Sequence, residues 1–139
     1  MKLKRLSSFL TSFFFLFLFV LPSFALETKS SALISSYNIT VTPSSNVLSI
    51  KFSVSGNVIM DQLGCESIEV YEKSGSRWSL AESLDENDAG MSTSNSRKYI
   101  NTIYCDSEPG VEYKVVVTIF AENSAGRDTR TQTKYVTGA

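Results

Sequence analysis

The chain has 139 residues, with 13 basic and 14 acidic side chains, a formal charge of −1 and no histidine. That length holds one domain. Without histidine no Ser-His-Asp, Cys-His or His-Glu-x-x-His constellation can be assembled, which argues against an enzyme, and the balanced charge offers no basic surface for a phosphate backbone.

The first residues read as an export leader. Lys2, Lys4 and Arg5 precede an apolar run from Phe9 through Val20, and Ser23-Phe24-Ala25 has the small-x-small pattern of a cleavage site. Residues 1–25 are therefore expected to be a signal peptide. An uncleaved anchor is the competing reading, because the run approaches the roughly 20 residues of a membrane span; Pro22 and the short apolar core oppose it. Cleavage after Ala25 removes three basic and no acidic residues, taking the formal charge from −1 to −4. The expectation is a secreted domain that meets a membrane only through its leader during export and does not bind nucleic acid.

Residues 26–36 are Ser-rich and aperiodic, a flexible lead-in to a domain over 37–139. Tyr37, Ile39 and Val41 alternate with polar residues, and Pro43-Ser44-Ser45-Asn46 ends this first strand. Leu48, Ile50, Phe52 and Val54 alternate with Ser49, Lys51, Ser53 and Ser55 in the second, giving one apolar and one polar face. Gly56 to Gly64 breaks the period, and its Val58, Ile59, Met60 and Leu63 fit a helical turn better than a strand. Ile68 and Val70 mark a third strand, and Ser74-Gly75-Ser76 turns it into a fourth with Trp78, Leu80 and Leu84. Residues 85–98 read as a long polar loop, and 99–105 as a fifth strand. The clearest signal is a hairpin over 109–136. In it Tyr113, Val115, Val117, Ile119 and Ala121 alternate with Lys114, Val116, Thr118 and Phe120 up to a turn at Asn123–Gly126. Seven short strands without a long helix describe an all-β antiparallel sandwich.

The run Pro109-Gly110-Val111-Glu112-Tyr113, followed by Ala121-Glu122-Asn123-Ser124-Ala125-Gly126, resembles the last two strands of a fibronectin type III domain. The resemblance implies a seven-stranded immunoglobulin-like sandwich in which Tyr113 is the corner tyrosine, its hydroxyl bonded back to the preceding loop. Phe52 stands where that family usually has a core Trp, Ser107 where a Leu precedes the Pro, and the interval from Tyr113 to Ala121 is two residues longer than usual. The layout also resembles small secreted immunoglobulin-like proteins of Gram-positive bacteria with no characterised activity, so it implies a fold and no chemistry.

Cys65 and Cys105 are the candidate disulfide. Export and even parity favour the bond, whereas the strand order puts the two at opposite poles, roughly 20 Å apart by strand rise, and opposes it. Asp85, Glu86, Asn87 and Asp88 could collect oxygen ligands for calcium, but Ala89 at the fifth loop position and Ser96 at the twelfth break the required pattern, so a solvated acidic turn is the reading and no metal or cofactor is expected. Asn38-Ile39-Thr40 matches a glycosylation sequon inside a strand.

On the outward side of the hairpin, Val116 and Phe120, with Tyr71 from the third strand, form the candidate partner-binding face. The bland alternative is that a loop covers them or that they serve cross-strand pairing. The functional expectation is a secreted, non-catalytic module that binds an extracellular protein, a glycan or a cell-wall partner through that face or through loops 56–65, 85–97 and 122–127. A toxin or inhibitor on the same scaffold is the rival, disfavoured by the lack of a cationic amphipathic segment.

Overall fold

A computed structural model describes residues 32–139. The leader and most of the lead-in fall outside the described residues. Strand β1 (Ile34–Ser44) begins three residues before the expected domain boundary, with Ile34 buried and its N–H donated to Asp128 Oδ2. It is followed by β2 (Val47–Ser74), β3 (Arg77–Asp85), β4 (Ser92–Asp106), β5 (Glu112–Asn123) and β6 (Gly126–Thr137).

Among the described residues all six strands belong to one antiparallel sheet organised on β2. A straight strand of its 28 residues would run about 90 Å, so it has to curl to close a core. Along one edge it pairs first with β1 (Val54 with Tyr37) and then with β5 (Val70 with Val115). Along the other it pairs first with β4 (Val54 with Tyr99) and then with β3 (Ile68 with Leu84). Register shifts at Ser55/Met60, Cys65/Ser67 and Val70/Tyr71 mark where it bends. The sheet forms a curled half-barrel, and Leu48, Ile50, Phe52 and Val54 of its first half share one buried cluster with Ile68, Val70, Val115 and Val117 of its second.

The seven expected strands are six because the segment 56–64 is not a helical turn. It continues β2 through a bulge, in which Val58 and Ile59 point to solvent while Met60 and Leu63 are fully buried. The aliphatic run imitated a helical period although only half of it packs. The expected loop 85–98 also shrinks, since β4 starts at Ser92. The connection is latched to β2: Met91 is buried, and its carbonyl accepts the Cys65 N–H at 2.7 Å. A Cβ at Gly64 would collide with that carbonyl, so the approach requires glycine.

The inward alternation of β5 follows the expected pattern, with Tyr113, Val115, Val117, Ile119 and Ala121 all buried. Tyr113 lies at the start of this strand, and its hydroxyl accepts the Glu108 backbone N–H at 2.7 Å, tying the preceding turn to the core. Gly75 supplies the left-handed φ of 63° in the two-residue turn between β2 and β3.

Cys65 and Cys105, the candidate disulfide pair, are both buried and free in this structure. Cys65 pairs with Ile119 in the second half of the sheet and Cys105 with Leu48 in the first. Burial above all pushes each thiol up to about 12, with the Glu82 carboxylate adding to the effect at Cys105. The Cys65 sulfur lies 3.3 Å from the carbonyl oxygens of Ser67 and Thr118, either of which can accept its proton. Both side chains are thus protonated thiols at neutral pH and poor nucleophiles.

Candidate binding face

The outer face of the sheet's second half spans four strands in the order β3, β2, β5, β6. Residues paired directly across antiparallel strands point to the same side, so the registers assemble this face in rows. One row reads Trp78, Lys73, Glu112, Thr137, and the next Leu80, Tyr71, Lys114, Tyr135. Further along, Glu69, Val116 and Thr133 form a third row, and Phe120 with Thr129 lies near the far end.

The expected patch of Tyr71, Val116 and Phe120 therefore shares one face, but its members differ in access. Phe120 is 0 % exposed, which removes it as a contact residue. The Arg127 guanidinium carbon lies 4.2 Å from the centre of its ring. Arg127 is held there by Glu86 at 2.9 and 3.1 Å, Glu122 at 2.8 Å and Glu66 at 3.4 Å. These partners, Glu86 foremost, hold the guanidinium in its charged form well above its usual range. A flat cation covers the ring, and three carboxylates from separate elements lock the cation. Glu86 is used in this cluster, while Asp85 and Asp88 cap their own turn: Asp88 Oδ2 accepts the Asp85 N–H and Asp85 Oδ1 accepts the Asn87 N–H, both at 2.8 Å. Val116 is half-buried within its row.

At the other end the aromatics are accessible. Trp78 on edge strand β3 and Tyr135 on edge strand β6 reach over the two central strands, and their ring centres stand 5.9 Å apart at 54°. Tyr135 is 67 % exposed. Beneath them the Lys114 ammonium sits 4.5 Å from the Tyr71 ring and 5.4 Å from that of Trp78, and the Lys73 ammonium 5.8 Å from Trp78. Lys73 also pairs with Glu112 at 3.1 Å. Tyr71 donates its hydroxyl to Glu69 at 2.7 Å, and this hydrogen bond raises its pKa above the usual tyrosine value. A cleft of about 320 Å³ opens here, lined by Lys73, Trp78, Glu112, Tyr135, Val136 and Thr137. That volume lies at the lower end of small-molecule sites.

Of the residues singled out from the sequence, only Tyr71 belongs to this open cluster. Local pattern makes Trp78 an ordinary position of the fourth strand and does not single out Tyr135 within the hairpin over 109–136. Their meeting depends on the strand order β3-β2-β5-β6, which local periodicity does not contain. The available signal was compositional: the chain's single tryptophan falls on β3.

No family model matches the chain, and no curated protein matches it. Among solved structures it is similar to the sporulation control protein Spo0M of Bacillus subtilis, at 7% identity and a TM-score of 0.46, over 78% of this chain and 51% of that one. It is also similar to a superoxide reductase from Nanoarchaeum equitans, at 12% identity and a TM-score of 0.34 over 71% and 91% of the two chains. A hypothetical protein from Pyrococcus horikoshii is similar at 10% identity and a TM-score of 0.35, over 73% and 88%. This chain spans about half the length of the Bacillus protein. Likeness at this level carries no activity across to it.

Proposed function

We propose that this protein is a secreted, non-catalytic β module that binds an extracellular partner through the outer face around Trp78, Tyr135, Tyr71 and Lys114. The observation that carries the reading is the meeting of Trp78 and Tyr135 from opposite edge strands over an open cleft, with Tyr135 left largely in solvent. Aromatic side chains on rigid strands, grouped and partly exposed, are what binding surfaces concentrate. The leader signature of residues 1–25 supports export. A chain without histidine, whose two thiols are held protonated by burial, supports binding in place of catalysis. The pairing of β1 and β4 with the first half of β2, and of β3, β5 and β6 in the second half, supports a fibronectin type III-like arrangement.

The test is to screen the purified protein against an array of extracellular proteins, cell-wall polymers and glycans, beside a Trp78→Ala/Tyr135→Ala variant. The reading expects at least one specific partner that the variant loses while melting within a few degrees of the parent. Partners retained equally by both proteins, or none at all, would contradict it.

A further inference from the structure

Resting on that reading, we infer that the cleft between Trp78 and Tyr135 is a saccharide subsite and that its ligand is an uncharged sugar unit of an oligosaccharide. A pyranose ring presents a face of C–H bonds and a rim of hydroxyls, each both donor and acceptor. It needs an aromatic surface beside polar groups of both kinds. The cleft has that combination. Tyr135 offers an exposed ring, Trp78 stands as a wall at 54° to it, and Glu112, Lys73 and Thr137 line the floor with an acceptor, a donor and a hydroxyl that is both.

Charge selects among ligands of this shape. Lys73 and Glu112 neutralise each other at 3.1 Å, and the Lys114 ammonium is engaged by the Tyr71 and Trp78 rings. An anionic ligand would have to compete with Glu112 for Lys73 and draw Lys114 off the Tyr71 and Trp78 rings. A cationic ligand would face two ammonium groups already lying against the rings it needs. A neutral polyhydroxylated ligand can bond to both members of the ion pair without separating them, and charge-assisted hydrogen bonds of that kind are the stronger ones. Size agrees, since about 320 Å³ accommodates one or two sugar units and leaves the rest of a chain in solvent. The cleft is open, so the expected affinity is modest, with a Kd between about 10 μM and 1 mM.

Because Trp78 is the single tryptophan, its fluorescence reports on this cleft alone. The experiment titrates the purified full chain with neutral gluco-, manno-, xylo- and N-acetylchito-oligosaccharides, and in parallel with oligogalacturonate as an anionic arm. A saturable change in Trp78 emission is expected with at least one neutral series. Tyr135→Ala should weaken it tenfold or more and Glu112→Gln several-fold, both without a shift in melting temperature. Emission that no neutral sugar changes, or that only oligogalacturonate changes, overturns the inference. If the sugars give no response while the array yields a protein partner lost with Trp78 and Tyr135, the saccharide assignment fails and the binding face stands. If neither experiment gives a ligand, both fail.

Discussion

Two arrangements of cations on aromatic rings occupy opposite ends of the same sheet face, and they differ in what they leave open. At the Phe120 end one guanidinium meets three carboxylates, and the ring beneath is wholly buried. At the Trp78 end two ammonium groups lie against the rings, only Lys73 is paired with a carboxylate, Glu112, and the rings lean together over a cleft. The first arrangement is closed because Arg127 is planar and finds acceptors on the β2 bulge, the β3–β4 connection and β5. The second stays open because a lysine is a point charge on a flexible stem, able to lie against a ring without sealing it. Apolar content alone therefore does not identify a surface for a partner. Phe120 is the more apolar side chain, yet it belongs to the structure, and Tyr135 to the surface.

The sharpest way to break this contrast is to truncate each ring. Phe120→Ala should cost about 3 kcal/mol of unfolding free energy, as for a buried aromatic, measured by urea denaturation. A loss below about 1 kcal/mol would mean the ring is not sealed.

A second effect belongs to the same end, where Cys65 lies opposite Ile119 and is fixed by the Met91 carbonyl. Its thiol rises from 9.0 to about 12 in the folded protein. Between these values the unfolded chain has released the proton that the folded one keeps, so stability is full below pH 9 and falls as pH rises toward 12. The slope approaches about 1.4 kcal/mol per pH unit for each such thiol. Denaturation at pH 8 and pH 10.5 should show Cys65→Ala losing less stability across that interval than the parent.

Arg127→Met should cost about 1–2 kcal/mol, a moderate figure because the network is partly exposed and screened. The difference from the parent should shrink between 0.05 and 1 M NaCl, since salt weakens both the ion pairs lost and the carboxylate repulsion gained. The smallest effect belongs to the open end. Tyr135→Ala should change stability by no more than about 0.5 kcal/mol, and its melting curve should nearly superimpose on the parent's.

Much of the fold was legible in the sequence because strands report their faces by alternation. Leu48 to Val54 and Tyr113 to Ala121 pack on the sides their spacing indicated. The segment 56–64 was not legible, because its aliphatic residues divide between core and solvent at a bulge, which no regular period describes. The hairpin turn at Gly75 could be read locally, while the curl of β2 could not, since it follows from where β1, β4, β3 and β5 attach along it. The candidate site was half legible. Tyr71 stands out on an outward face, whereas the burial of Phe120 is not legible because Arg127, which covers it, is held there in part by Glu66 and Glu86 from distant parts of the chain. The place of Tyr135 beside Trp78 depends on the strand order that sets β6 on the edge opposite β3, which local alternation does not report.

The central claim is that one end of this face is structure and the other is the binding surface. It is tested most directly by mapping backbone and indole amide NMR shifts while titrating the ligand that gives the strongest Trp78 response. The account predicts shifts clustered at Lys73, the Trp78 indole, Glu112 and Tyr135 to Thr137, with Glu66, Phe120 and Arg127 unmoved. Shifts centred on Arg127 and the 86–91 connection, or on the exposed Val58 and Ile59, would contradict it.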